Sequence, residues 1–303
     1  MSHSWGEAYW LKHLSPYSVD GDYLCYSKLS WVGEGVPFAN CDGQSCYNPV
    51  TVAQYALSHH GLGNTDVFMD SARLLLTLQD NDGAFRYPFS YSHYLCPSQP
   101  FQKGWVSGMA QGQALSVFAR AYLLSGDSAF LQGGDLALEC LQRPVAQGGC
   151  KTSMACLDGA LSSLIFFEEY PTRPESYTLN GFLFTVIGLY DWKCVKSMCC
   201  SGVGGIEALF YECVKTIEAV LPFFDISGFS VYDLGYITFN ARKKYSFRYH
   251  ACHVMQLHAL NGVVDSDVMR NYENSWGKVL RNRSVVGFIY SVLRKKKRAL
   301  QAK

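Results

Sequence analysis

Phe167-Glu168-Glu169-Tyr170-Pro171-Thr172-Arg173-Pro174, running on into Glu175–Trp192, is the stretch on which the reading of the fold turns. Two prolines around a polar centre cannot lie inside a helix, because each lacks an amide hydrogen and clashes with the preceding turn. A rigid loop is therefore expected, followed by a helix over Glu175–Trp192 with Leu179, Phe182, Ile187 and Tyr190 as apolar positions. Polar groups on a stiff loop are well placed to act on a substrate. A local lock, Arg173 pairing with Glu168 or Glu169, explains the same residues.

On either side the pattern is helices joined by turns. Asn48 followed by Pro49 is a start signal, with Val52–Leu57 as helix. Thr65–Asp80 carries Phe68, Ala72, Leu75 and Leu76 on one face and ends at Asn81-Asp82-Gly83. An aromatic loop follows through Gly104. Ser107–Leu124 has the stripe Leu115, Phe118 and Tyr122 and stops at Ser125-Gly126-Asp127. Further helices are expected at Ser128–Leu141, Ile206–Leu221 (ended by Pro222), Tyr249–Leu260 and Asp265–Leu280, with Phe223–Leu234 extended or looped. Residues 1–47 lack helical periodicity, and 282–303 hold the basic run Arg294-Lys295-Lys296-Lys297-Arg298. The expected fold is mainly α: an α/α toroid-like domain over 48–281, a short irregular or β-containing N-terminal arm over 1–47, and a solvated basic tail over 282–303. Long loops at one rim of such a toroid form its groove.

Half of the 303 residues are hydrophobic, enough for a sizeable core. The formal net charge of +1 excludes a strongly basic nucleic-acid binder, while a local Arg/Lys cluster still suits an acidic polysaccharide. The twelve cysteines form no paired CxxC knuckles, so no structural zinc is expected. Disulfides of a secretory protein and buried thiols of a reduced one both fit that count. MSHSWGEAYW lacks the basic and apolar regions of a signal peptide, and no apolar run is long enough for a transmembrane helix. Asn282-Arg283-Ser284 is a formal glycosylation sequon.

Three more clusters bear on chemistry. Gly228–Leu234 is an aromatic loop. In Arg248–Leu257, His250 and His253 lie one helical turn apart, but no third ligand and no HExxH pattern accompanies them, so capping or core hydrogen bonding is expected and metal is not. In Ser107–Gln113, Gly108 and Gly112 each cost a helix ~1 kcal/mol relative to Ala. Their smallness lets another helix or a sugar approach, and Gln111 and Gln113 are placed to hydrogen-bond hydroxyls. Nucleotide-binding glycine loops and the serine-hydrolase elbow are absent from the sequence.

Taken in order, Tyr47–Leu57, Gly104–Leu124, Glu168–Pro174, Ser176–Phe182, Ile187–Asp191, Tyr232-Asp233-Leu234 and Tyr249-His250 with His253 and Gln256-Leu257 resemble the C-terminal helical domain of the heparan glucuronyl C5-epimerases. The resemblance covers residues 41–260. It leaves too little room before Asn48 for the β domains of the animal enzymes, so a compact version or a fragment is expected. It implies epimerisation at C5 of D-glucuronate to L-iduronate in a heparan or heparosan-type chain, without a cofactor. It implies Glu169, Tyr232 and Tyr249 as the acid and base groups. Arg173, Arg242, Lys244 and Arg248 are candidates to bind substrate and to lower a tyrosine pKa. Asn180, Gln111 and Tyr170 match substrate-contacting positions, with Gln113 and His250 beside them. The implied partner is heparosan or N-sulfated heparosan, with a homodimer as an assembly the resemblance admits and the Golgi lumen or secretory pathway as the setting. Gly235 stands where the family commonly has Arg, and Phe184 where it has a substrate-binding Tyr. Those departures put the substrate preference, including N-sulfation, in question. A polysaccharide lyase on the same scaffold and a non-catalytic uronate-glycan-binding relative are the competing readings.

Overall fold

The computed structural model describes residues 35–41, 43–199 and 204–280. Most of the arm expected over 1–47, the basic tail at 282–303 and the sequon at Asn282 lie outside the described residues. What is described of the arm is a small hairpin, β1 (Ala39–Cys41) antiparallel to β2 (Gln44–Cys46), closed by a Cys41–Cys46 disulfide with Cα atoms 5.8 Å apart. Cys140, Cys150 and Cys213 are buried thiols.

The helices are α1 (Pro49–Gly61), α2 (Thr65–Thr77), α3 (Gly108–Ser125), α4 (Ser128–Gln142), α5 (Leu179–Cys199), α6 (Gly204–Phe224), the single turn α7 (Gly235–Thr238), α8 (Phe247–Asn261) and α9 at 267–280. None of the described helices is long and apolar enough to cross a membrane. Between them lie two further hairpins, β3 (Lys151–Ser153) with β4 (Ile165–Phe167) and β5 (Asp225–Ile226) with β6 (Phe229–Ser230). The ends obey local chemistry. Asn48 accepts from the amides of Val50 and Thr51 at 3.0 and 3.3 Å, which caps α1, and Gly126 closes α3 with a left-handed φ of 69°.

The mainly α, α/α toroid-like expectation holds. Helices α1, α3, α5 and α8 sit side by side in that order as an inner layer, and α2, α4 and α6 each pack behind the inner helix they follow. Helix α9 joins α8 through Glu273, which accepts from His258 and Asn261 at 2.8 and 2.6 Å. Sequence dictates the layering. From Gly108 to Ala121, α3 buries every residue, whereas α2 buries only Phe68, Met69, Ser71, Ala72 and Leu75. A helix apolar all round must be surrounded, while an amphipathic one covers it.

The closest inner contact is between α3 and α5. A Cβ on Gly188 would lie 1.9 Å from the Gly112 carbonyl oxygen, and one on Gly112 would lie 2.4 Å from the Cα of Thr185. These glycines therefore serve helix packing, which settles the alternative left by the sequence. Thr185 Oγ1 donates to the Gly108 carbonyl at 2.9 Å, and a buried Arg120–Asp191 ion pair at 2.6 Å ties the far ends together.

Some boundaries moved. Helix α5 begins at Leu179, not Glu175, because residues 175–178 are laced to another segment. The Leu179 amide donates to the Tyr232 carbonyl at 3.1 Å, the Leu234 amide donates to the Ser176 carbonyl at 3.0 Å, and Tyr177 has a φ of 51°. Helix α6 runs through Pro222 to Phe224, since a proline in the last turn forfeits only one backbone bond. Gly188→Ala should cost about 3 kcal/mol or more, because overpacking here meets backbone rather than a movable side chain. Urea unfolding should show a lower midpoint at an unchanged slope, with Gly159→Ala, whose Cβ meets nothing within 4 Å, as the neutral control.

Candidate functional site

Glu169 follows β4 on the proline-bounded loop. The Gly108 amide, at the start of α3, donates to the Glu168 carbonyl at 2.7 Å and fixes the loop's approach. The Glu169 side chain lies on the first turn of α5, where only glycine fits: a Cβ on Gly181 would come within 2.4 Å of Glu169 Oε2. Asn180 Nδ2 donates to the same oxygen at 3.3 Å. Gln256 of α8 holds this turn from the other side, its Nε2 donating to the Asn180 carbonyl at 2.8 Å.

From Glu169 a chain of phenols leads outward. The Tyr170 hydroxyl bears on the Glu169 carboxyl, and Tyr170, Tyr232 and Tyr249 influence one another's protons in turn. The Tyr232 and Tyr249 rings are 4.2 Å apart. Glu169 and Tyr232 are buried, 8% and 3% exposed, while Tyr170 and Tyr249 are half-buried and open the group towards solvent. The three side chains singled out for acid–base work, remote in sequence, thus lie in one connected group.

Burial dominates their electrostatics. It pushes Glu169 up to about 7, against the pull of the neighbouring Tyr170 hydroxyl, the Lys244 charge and Asn180. Burial, then the nearby Glu169 charge, raises Tyr232 well above the ordinary phenol value and Tyr249 to about 12. The expectation that cations lower a tyrosine pKa is corrected here. Arg248 does pull Tyr249 down, but desolvation outweighs it. All three phenols keep their protons at neutral pH.

Lys244 is the cation at the centre. Its Nζ lies 3.9 Å from the Tyr94 ring centroid and 4.1 Å from that of Tyr232. Its carbonyl accepts from the Tyr232 amide at 3.0 Å, which keeps the two segments in register. The Tyr94 hydroxyl donates to the buried Asp233 carboxylate, whose other oxygen accepts from the Gly235 amide at 3.0 Å. The space a side chain at 235 would need is filled by Leu95, 2.5 Å from its Cβ position.

Other expected ligands are placed elsewhere. Gln111 is a brace: its Oε1 accepts from the Phe85 amide at 3.0 Å, and its Nε2 donates to the carbonyls of Gly83 and Ala137 at 2.9 and 3.2 Å. With its amide engaged and fully buried, it has nothing to offer a sugar. His250 is likewise core, its Nδ1 2.8 Å from Ser230 Oγ and its Nε2 3.2 Å from the Trp276 carbonyl. That bears out the hydrogen-bonding expectation for this histidine and corrects its place among substrate contacts. Arg173 pairs with Glu175, so a local lock exists but uses neither Glu168 nor Glu169. Glu168 instead accepts from the Tyr177 amide and Ser176 Oγ, each at 3.3 Å. Gln113 is buried in α3, and Arg242 is exposed.

The sequence reading noted the aromatic loop before α3 without giving it a role; it walls the site. Tyr91 stacks on Tyr170 at 5.5 Å and on Trp105 at 5.9 Å, and Trp105 stacks on Tyr87 at 3.9 Å. His93, 4.8 Å from Tyr170, is held neutral near neutral pH, since burial and then Lys244 lower its pKa to about 4. Their only signal was the density of rings between Gly83 and Gly104.

Residues 79–278 match the family described as D-glucuronyl C5-epimerase C-terminus. The chain belongs to that family. Among curated proteins it is 30% identical over 181 residues to a D-glucuronyl C5-epimerase of Caenorhabditis elegans, covering 57% of this chain and 28% of that one. It is 26% identical over 195 residues to an uncharacterized protein of Methanocaldococcus jannaschii, covering 63% of this chain and 56% of the other. It thus spans between about a quarter and just over half of these relatives. A family 76 glycoside hydrolase from a bovine Bacteroides thetaiotaomicron strain aligns with a TM-score of 0.44 and 15% identity, over 72% of this chain and 42% of its own. Within the epimerase family's matched range lie Glu169, Tyr170, Tyr232, Lys244 and Tyr249, together with the aromatic loop from Gly83 onward.

The elevated Glu169 pKa is also a statement about stability. A carboxyl bound more tightly to its proton in the folded state than in the unfolded, about 7 against 4.5, stabilises the fold fully below pH 4.5 and loses that contribution as pH rises through 7. The loss amounts to about 3 kcal/mol. Glu169→Gln removes it, so from pH 4.5 to pH 8 denaturant titrations should show the variant gaining about 3 kcal/mol on the wild type. A difference constant with pH would mean the carboxyl is not desolvated.

Proposed function

We propose that this chain, through a helical body over residues 48–281, epimerises D-glucuronate to L-iduronate at C5 within a heparan or heparosan-type polysaccharide. The observation that carries the reading is the clustering of Glu169, Tyr170, Tyr232 and Tyr249, with the carboxyl poised at about 7 and the phenols protonated. The C5 hydrogen lies α to a carboxylate and is very weakly acidic. Its removal needs a base on one face, an acid on the other and positive charge where the enediolate forms. Glu169 is matched to the base role near neutral pH. Tyr249 holds a proton to give. Lys244, with the amide of Asn180 nearby, supplies donors for the substrate carboxyl.

The wider electrostatics fit an anionic chain. The first turns of α3, α5 and α8 carry Gly108, Asn180 and Tyr249, and helix N-termini carry partial positive charge. The rings of the exposed Tyr94 and the half-buried Tyr91 and Trp105 are suited to sugar faces. The Cys41–Cys46 disulfide suits a secretory-pathway setting, the Golgi lumen included.

Heparosan, with and without N-sulfation, should take up solvent deuterium at uronate C5 when incubated with the chain in D2O. Glu169→Gln and Tyr249→Phe should each slow that uptake by about 10²–10⁴-fold. The value of kcat/KM should rise with pH through about 7, because the base must lose its proton to act. An ultraviolet-absorbing unsaturated product would make the chain a lyase instead. Binding without any exchange would make it a glycan-binding relative.

A further inference from the structure

Lysine is an awkward group for the task that the epimerase reading gives Lys244. When Glu169 takes the C5 proton, the bonding electron pair moves into the substrate carboxyl, which passes from one negative charge to two. Stabilising that gain needs a positive charge already in place, because a donor that must first reorient gives part of its interaction back. An ammonium is a compact, strongly hydrated charge on a long flexible stem, and nothing in the stem fixes its direction. The surroundings have to supply that direction.

Two aromatic rings hold the ammonium. Lys244 Nζ lies 3.9 Å from the centroid of Tyr94 and 4.1 Å from that of Tyr232, within the range over which a ring face attracts a cation. The rings themselves are held very differently. Tyr232 is buried, and its backbone is bonded on both sides: its amide donates to the Lys244 carbonyl at 3.0 Å, and its carbonyl accepts from the Leu179 amide at 3.1 Å. Tyr94 stands on the loop before α3 and is 41% exposed, so packing alone does not fix its ring. Its hydroxyl does, by donating to Asp233 Oδ2. Asp233 is a firm anchor, because it is buried and its Oδ1 accepts from the Gly235 amide at 3.0 Å. The neighbours of Tyr94 seat the same piece of loop, His93 against Tyr170 at 4.8 Å and Leu95 in the space beside Gly235.

We propose that Tyr94 is a positioning residue for the reaction: tethered to Asp233, its ring holds the Lys244 ammonium against Tyr232, where the substrate carboxyl gains charge. The inference rests on the epimerase reading of the site. Tyr94 touches no reacting atom and acts through Lys244 alone. Its two parts contribute separately, since the ring face supplies the attraction and the hydroxyl supplies the orientation. Phenylalanine in its place keeps the first and loses the second. Asp233 follows Tyr232 directly in the chain, so one short segment sets both sides of the ammonium's seat. Tyr232 forms one side with its own ring, and Asp233 secures the other by holding Tyr94.

The test is a double-mutant cycle on the full chain, read as deuterium uptake at uronate C5 of N-sulfated heparosan. Tyr94→Phe should lower kcat about 10–100-fold while KM moves far less, because the extra charge on the carboxyl exists only on the way to the transition state. In a Lys244→Ala background the same change should alter kcat by less than about twofold, since no ammonium is left to position. Equal losses in the two backgrounds would overturn the proposal, whether the hydroxyl serves the fold or touches the sugar directly. Tyr94→Leu, which removes the ring as well, must lose more than Tyr94→Phe with the same dependence on Lys244, and this keeps the test in force should Tyr94→Phe fail to fold. A second readout needs no substrate. With lysine labelled by carbon-13 at Cε, the wild type should show an upfield resonance, shifted by the ring faces, that Lys244→Arg removes. Tyr94→Phe should move that resonance downfield, and an unmoved resonance would overturn the tether. Wild-type chain that shows the upfield resonance yet exchanges no C5 hydrogen would instead overturn the epimerase reading and leave the tether standing.

Discussion

The constraint on which the site depends is the holding of one carboxylate out of water against the first turn of a buried helix. Glu169 can occupy that place only because Gly181 has no side chain and Asn180 turns an amide towards it. Desolvating a carboxylate is costly, and the structure offsets the cost only in part, with the Asn180 hydrogen bond, the neighbouring Tyr170 hydroxyl and a cation at a distance. What remains appears as a proton affinity near neutrality. A fully compensated carboxylate would be too weak a base for a carbon acid, and an uncompensated one would stay protonated.

The rest of the architecture keeps that geometry rigid. The inner helices are locked by backbone-to-backbone approach at Gly112 and Gly188 and by the Arg120–Asp191 pair at the opposite end. Such contacts tolerate little sliding, so the starts of α3 and α5, and with them Gly108 and Gly181, keep fixed positions relative to the loop that carries Glu169. The segment from Glu175 to Thr178 adds a second tie, since its backbone pairs with residues 232–234 and so delivers Tyr232 beside the carboxylate. Lys244 follows because its own carbonyl is bonded to Tyr232.

Chemistry at the site then comes from contrast among neighbours. The same burial that brings Glu169 to about 7 carries the phenols above it, so the carboxyl gives up its proton first as pH rises. The cations, expected from sequence to lower a tyrosine pKa, do not prevail there: Lys244 lies over the Tyr94 and Tyr232 rings and restrains Glu169, and Arg173 secures Glu175. The departure at Gly235 has a structural counterpart, because Leu95 fills the space that a longer side chain would need.

The sequence by itself determined the helical order, the caps at Asn48 and Gly126, the layering of apolar and amphipathic helices, and the loop made by Pro171 and Pro174. These follow from periodicity, from backbone stereochemistry and from missing amide hydrogens, all local properties. The motif order likewise pointed to Glu169, Tyr232 and Tyr249. Only the tertiary structure decided what each polar side chain faces. Gln111 and His250 carry the right groups for sugar binding, yet their partners are backbone atoms distant in sequence, so they brace the core. Tyr91, Tyr94 and Trp105 gave no motif, yet folding sets them around Tyr170 and Lys244. Desolvation, the largest influence on the site's proton affinities, depends on everything packed around a group, which no stretch of sequence contains.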